Sequence, residues 1–184
     1  MTLLIIGLAL FVGVHLVPSH PALRGGVTGA IGVNGYKIAF SLISAIGLVM
    51  AGMGYARTPE EQIFVPSETA RLILPLAMAA AFVLMACGYA PGRLRRLLRH
   101  PMLASVLIWS VLHLLANGDL ASNILFGTFA LWSVFAILSA ERRAQKLGGE
   151  RVRPWADPIA AGAGLAAFAV VLYLHETLFG VSPI

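Results

Sequence analysis

The sequence predicts an all-α fold, a polytopic bundle of about six transmembrane helices with both termini on the outer side, and three observations carry that reading. The first is composition. Of 184 residues, 59% are hydrophobic and only 11% are charged, with a mean hydropathy of +0.86, whereas an ordinary soluble domain is about a quarter charged. The second is spacing: the apolar residues fall into runs of roughly the length that crosses a bilayer, separated by Pro, Gly and charge. The third is the distribution of charge. Of the 13 Lys and Arg residues, eleven fall on the connections after the first, third and fifth spans and only Arg57 and Arg71 on the others. Basic connections stay in the cytoplasm, which puts both termini outside. The net charge of +5 therefore reports topology. No basic patch alternates with aromatic residues, so the expected partner is the lipid bilayer and not a nucleic acid.

The spans can be justified in order. The first, about 3–17, has no basic region before it and no small-residue cleavage pattern before Arg24, which marks it as an uncleaved span. Pro18 and Pro21 remove backbone donors and end it, and Gly25, Gly26, Gly29 and Gly32 are expected to continue a flexible connection. The second span, about 36–55, carries Gly47, Gly52 and Gly54 for close helix approach. The third, about 71–89, is rich in alanine and suits tight packing. Arg93, Arg95, Arg96 and Arg99 interleave with Leu94, Leu97 and Leu98, the pattern of a short interfacial helix. The fourth span, about 101–115, starts on Pro101, where a missing N–H costs nothing, and ends at Asn117-Gly118-Asp119. The fifth is about 121–140 and the sixth about 158–179, joined by a charged segment that includes Glu141, Arg142, Arg143, Lys146, Glu150, Arg151 and Arg153. No repeat of 20–50 residues is present, so 1–184 reads as one integral-membrane domain.

The chemistry rests on the five histidines. An ionisable side chain in hydrocarbon needs a partner or ligand to offset its desolvation. His113 lies on the same helical face as Trp109 and Asn117, one turn to either side. That face combines an aromatic wall, an imidazole and an amide, which suits a planar cofactor, although a hydrogen bond to a neighbouring helix would also occupy the ring. His15, on an otherwise apolar span, is the second candidate. His100 and His113 are separated by roughly 20 Å of rise and face opposite ways, and Pro18 lies between His15 and His20, so a metal or haem must be held between helices. His20 reads as a solvated loop residue, His100 as an interfacial cap, and His175 beside Glu176 as an interfacial pair. The lone Cys87 has no disulfide partner. No phosphate loop, zinc cluster or catalytic Ser/His/Asp pattern appears.

Taken together, His15, Arg99-His100-Pro101-Met102, Trp109, the run His113 to Asp119 and the order of spans resemble the NnrU family. These are small bacterial membrane proteins associated with denitrification and nitric oxide metabolism, and the resemblance covers essentially the whole chain. It implies a multi-pass protein of the bacterial inner membrane, with the denitrification machinery or a second copy of the chain as candidate partners. The 15-cis-zeta-carotene isomerase, a relative of the family, is a haem b protein with histidine axial ligands. Carried over to this sequence, the resemblance implies haem b held by His15 and His113, with His100, Trp109, Asn117 and His175 as secondary candidates. Because simple topology puts His15 toward the cytoplasmic half and His113 toward the outer half, a pairing of His113 with His175 stays open. The segment 99–101 followed by a hairpin and Glu141-Arg142-Arg143 also resembles isoprenylcysteine carboxyl methyltransferases, which would imply S-adenosylmethionine at His100 and its neighbours. A third expectation is a non-catalytic assembly or regulatory factor.

Overall fold

The computed structural model describes residues 1–142 and 152–180. Arg143, Lys146, Glu150 and Arg151 of the charged segment lie outside the described residues. Among the described residues seven α-helices follow in order: α1 Thr2–Leu16, α2 Pro21–Ala56, α3 Glu68–Cys87, α4 Arg93–Leu98, α5 Pro101–Ala116, α6 Leu120–Arg142 and α7 Ala156–Phe179. Five of the hydrophobic stretches are long and apolar enough to cross a membrane, and α5 is a sixth, shorter apolar helix. The short basic α4 sits where the Arg/Leu pattern placed an interfacial helix.

One expectation is corrected. The glycines after Pro21 do not form a flexible connection: Pro21 opens α2, which runs helically to Ala56 with one break, at Gly32 (φ 73°). A chain in apolar surroundings must satisfy its own backbone N–H and C=O groups, so even a glycine-rich run is driven into a helix. The prolines do act as expected, since a 3-10 turn over Val17–Ser19 ends α1.

The helices pack as a row. α1 lies on α2, α6 on α5, and α3 between α5 and α7, while a smaller contact of α1 and α2 with α6 joins the hairpin to the rest. The α1–α2 contact is backbone to backbone. A Cβ added at Gly7 would strike Ala51, and one at Gly54 would strike Leu4, so only residues without a side chain allow this approach. At the rim where α5 turns into α6, the loop after α2 is laced to the turn. Ile63 N–H donates to the Gly118 carbonyl at 2.8 Å, Leu120 N–H to Glu61 at 2.9 Å, and Ser67 N–H to Leu115 at 2.9 Å. Asp119 caps α6 by accepting from Ser122 N–H at 2.8 Å, and Gly118 is pressed against Gln62 and Phe64. The polar Asn-Gly-Asp stretch is thus a turn and a helix cap. At the opposite, arginine-rich rim, the Asp157 carboxylate accepts from Arg93 N–H at 2.8 Å and Leu94 N–H at 3.2 Å, so α7 caps the start of α4.

Candidate functional site

The small interface between the α1–α2 hairpin and α6 is rich in aromatic rings. On α6, Phe126, Phe129 and Trp132 recur every three residues and present rings to both neighbours. Trp109 of α5 meets Phe126 at 5.0 Å and Phe129 at 5.3 Å between ring centroids, and Phe11 of α1 meets Phe129 at 5.2 Å and Trp132 at 5.9 Å.

A histidine terminates this seam at each end. The His15 ring is stacked on Phe11 at 4.1 Å and walled by Phe40 at 4.8 Å and Trp132 at 5.2 Å. The His113 ring is stacked on Phe126 at 4.8 Å and touches Trp109 at 5.6 Å. Both are fixed in the same way: His15 Nδ1–H donates to the Phe11 carbonyl at 2.7 Å, and His113 Nδ1–H to the Trp109 carbonyl at 2.8 Å. A carbonyl only accepts, so Nδ1 carries the proton and a neutral ring keeps its lone pair on Nε2. Backbone hydrogen bonding of the remote nitrogen is how proteins orient histidine ligands. His20 makes the same bond to Leu16 at 3.2 Å, but it is exposed and has no such aromatic walls.

For a haem, the two ends of the seam have the right chemistry, an imidazole with Nε2 to offer and flat apolar walls. Ser133 is fully buried on α6, one turn from Phe129, and among the described residues its Oγ, like that of Ser44, has no hydrogen-bond partner, a costly state for a hydroxyl. The middle of the seam is filled by protein. Phe11, Phe129 and Trp109 stand between the imidazoles, and the residues that His15 and His113 touch on α6, Trp132 and Phe126, are six apart, about 9 Å of rise. The structure therefore places His15 and His113 on one continuous seam but not face to face.

The secondary candidates scatter. Asn117 is the C-cap of α5: its N–H donates to the His113 carbonyl at 2.9 Å, and its own backbone (φ −100°, ψ 179°) turns the chain out of the helix. His175 on α7 packs on Phe179 at 4.9 Å and lies within electrostatic range of His113. His100 Nε2–H donates to Glu141 Oε1 at 3.1 Å, while Arg99 Nη1 pairs with Glu141 Oε2 at 2.7 Å. Both oxygens of Glu141 are thereby engaged in joining α6 to the start of α5. The adjacent cleft has a volume of about 230 Å³. Among the described residues no group of three or more His, Cys, Asp or Glu side chains could hold a metal ion, a test that a two-histidine haem site does not enter.

Sequence reasoning found both histidines and Trp109 but missed Phe11, Phe40, Phe126, Phe129, Trp132 and Ser133. The three-residue recurrence of aromatics on α6 was the available signal. No curated protein and no solved structure matches the chain. A family model described as NnrU protein matches residues 3–183, which is essentially the whole chain, and the protein therefore belongs to the NnrU family.

Proposed function

We propose that this protein is a multi-pass inner-membrane haem b protein of nitrogen-oxide metabolism, with His15 and His113 as the haem ligands. The observation that supports the reading best is the matched state of the two imidazoles. Each lies in an aromatic wall of one seam, and each has Nδ1–H tied to its own helix so that Nε2 is left to ligate. Bound there, haem would supply one-electron redox chemistry. The chain's own residues do the rest. Phe126 and Phe11 hold the imidazole planes by stacking, Trp109 and Trp132 wall them, and the apolar seam excludes water. Joint ligation by both histidines would require the Phe11, Phe129 and Trp109 rings that now stand between them to turn aside. The association with denitrification rests on the family resemblance alone.

The test is the absorption spectrum of protein purified from haem-replete cells. A Soret band is expected in the wild type, lost in His113→Ala and altered in His15→Ala, with circular dichroism and gel filtration reporting that both variants fold. Colourless wild-type protein overturns the haem reading and leaves a non-catalytic assembly or regulatory role. A band that survives in His15→Ala with unchanged position points to His175 as the partner of His113.

A further inference from the structure

We propose that the interface between α2 and α6 binds a water molecule between the hydroxyls of Ser44 and Ser133, at the depth of His15. The starting point is a contrast among the hydroxyls carried by the helices. Ser105 Oγ donates to the Met102 carbonyl at 2.7 Å, Ser110 Oγ to Leu107 at 3.1 Å and Thr128 Oγ1 to Ile124 at 2.6 Å, each satisfying itself on its own helix. Ser122 uses Tyr55 across the interface. Ser44 and Ser133 do neither: among the described residues their Oγ atoms are buried without a hydrogen-bond partner, and Ser133 is fully buried as a residue.

Register brings these two hydroxyls to one depth. Tyr55 and Ser122 mark where α2 and α6 meet at the laced rim. Ser44 lies eleven residues before Tyr55, and Ser133 lies eleven residues after Ser122. The two helices leave that rim in opposite chain directions, so both serines stand roughly 16 Å from the Tyr55–Ser122 bond. Eleven residues are also close to three whole turns, so each serine keeps the azimuth of the residue that faces the other helix. A second set of contacts fixes the same register. The His15 ring touches Phe40, one turn beyond Ser44, at 4.8 Å and Trp132, the neighbour of Ser133, at 5.2 Å. A single imidazole therefore still reaches both α2 and α6 at this depth.

Chemistry selects the guest. Two hydroxyls that do not bond each other need a molecule that both donates and accepts, and beneath an apolar seam that molecule must be small and uncharged. Water carries two donors and two acceptors and is held inside proteins where two to four polar groups surround it. Ser133 donates to its oxygen and one of its protons goes to Ser44 Oγ. The Nε2 lone pair of His15, left open by the bond from Nδ1–H to Phe11, is available at the same depth for the other. The site stands apart from the haem reading, since the two hydroxyls hold the water whether or not haem takes Nε2. It gives the hairpin a second polar tie to the bundle, three turns deeper than the Tyr55–Ser122 bond.

The full chain, its Ser44→Ala and Ser133→Ala variants and the double variant are purified in one detergent and their unfolding temperatures compared, and the wild type and Ser133→Ala are crystallised from a lipidic mesophase. Each single variant is expected to unfold at a lower temperature than the wild type, and the double variant no lower than the weaker single, because either alanine already breaks the bridge. Wild-type density should show a water within hydrogen-bonding distance of both Oγ atoms, lost in Ser133→Ala. Losses that add in the double variant, an unfolding temperature unchanged or raised by both single substitutions, or density in which each serine bonds its own helix with nothing between them overturns the proposal. None of these readouts depends on a Soret band, so failure here and failure of the haem reading are told apart.

Discussion

Tyr55 at the end of α2 and Ser122 at the start of α6, 67 positions apart, share a hydrogen bond of 3.0 Å between their hydroxyls. It crosses the interface between the α1–α2 hairpin and the rest of the bundle, at the laced rim. Ser122 is fully buried, so removing its partner leaves a hydroxyl with nothing to replace it.

Tyr55→Phe should therefore lower stability by about 1 kcal/mol, read as a reduced unfolding temperature in detergent. The ring still packs on Phe126, 6.4 Å away between centroids, so the change isolates the hydroxyl. An unaltered unfolding temperature would show that the bond does not hold the hairpin.

Two glycine substitutions should act with opposite signs. Gly54→Val drives a side chain into the backbone of Leu4 and should cost about 3 kcal/mol or more, at or beyond the upper end for overpacking, because a backbone cannot yield as a side chain does. Gly127→Ala, on α6, meets nothing within 4 Å and should stabilise by up to about 1 kcal/mol through helix propensity. Unfolding temperatures of the two variants, measured side by side in one detergent, check both signs.

If the rings in the middle of the seam must turn aside for a guest, then Phe129→Leu should take up haem faster than the wild type in a stopped-flow titration while unfolding at a lower temperature. Truncating a buried ring costs up to about 3 kcal/mol. Slower uptake would mean that Phe129 forms part of the seat and does not obstruct it.

The spans were legible in the sequence because charge and proline punctuate long apolar runs, and an observed helix such as α5, Pro101–Ala116, differs from its expected 101–115 by a single residue. The glycine run before Gly32 was not legible, because glycine signals freedom in water and the demand for backbone hydrogen bonds in lipid reverses that signal. Half of the candidate site could be read. The pairing of His113 with Trp109 follows from helical spacing. The walls contributed by Phe40 and Trp132 come from other helices, and no local pattern announces them. The grip of Arg99 and His100 on Glu141 spans about forty residues of chain and is set by the packing of α5 on α6.

The lacing at one rim also assigns unequal parts to the two histidines. His113 stands one turn from the rim where Gly118 is bonded to the loop after α2, and α5 is clasped on both flanks by α3 and α6. His15 is fourteen residues along α1 from Met1, whose amino group bonds Thr58 at 2.9 Å beside that rim, which makes α1 a lever of roughly 20 Å with His15 at its far tip. A tilt of the hairpin about its tether would carry His15 farther than His113. The bundle thus holds one imidazole beside the laced rim and the other at the far end of the hairpin.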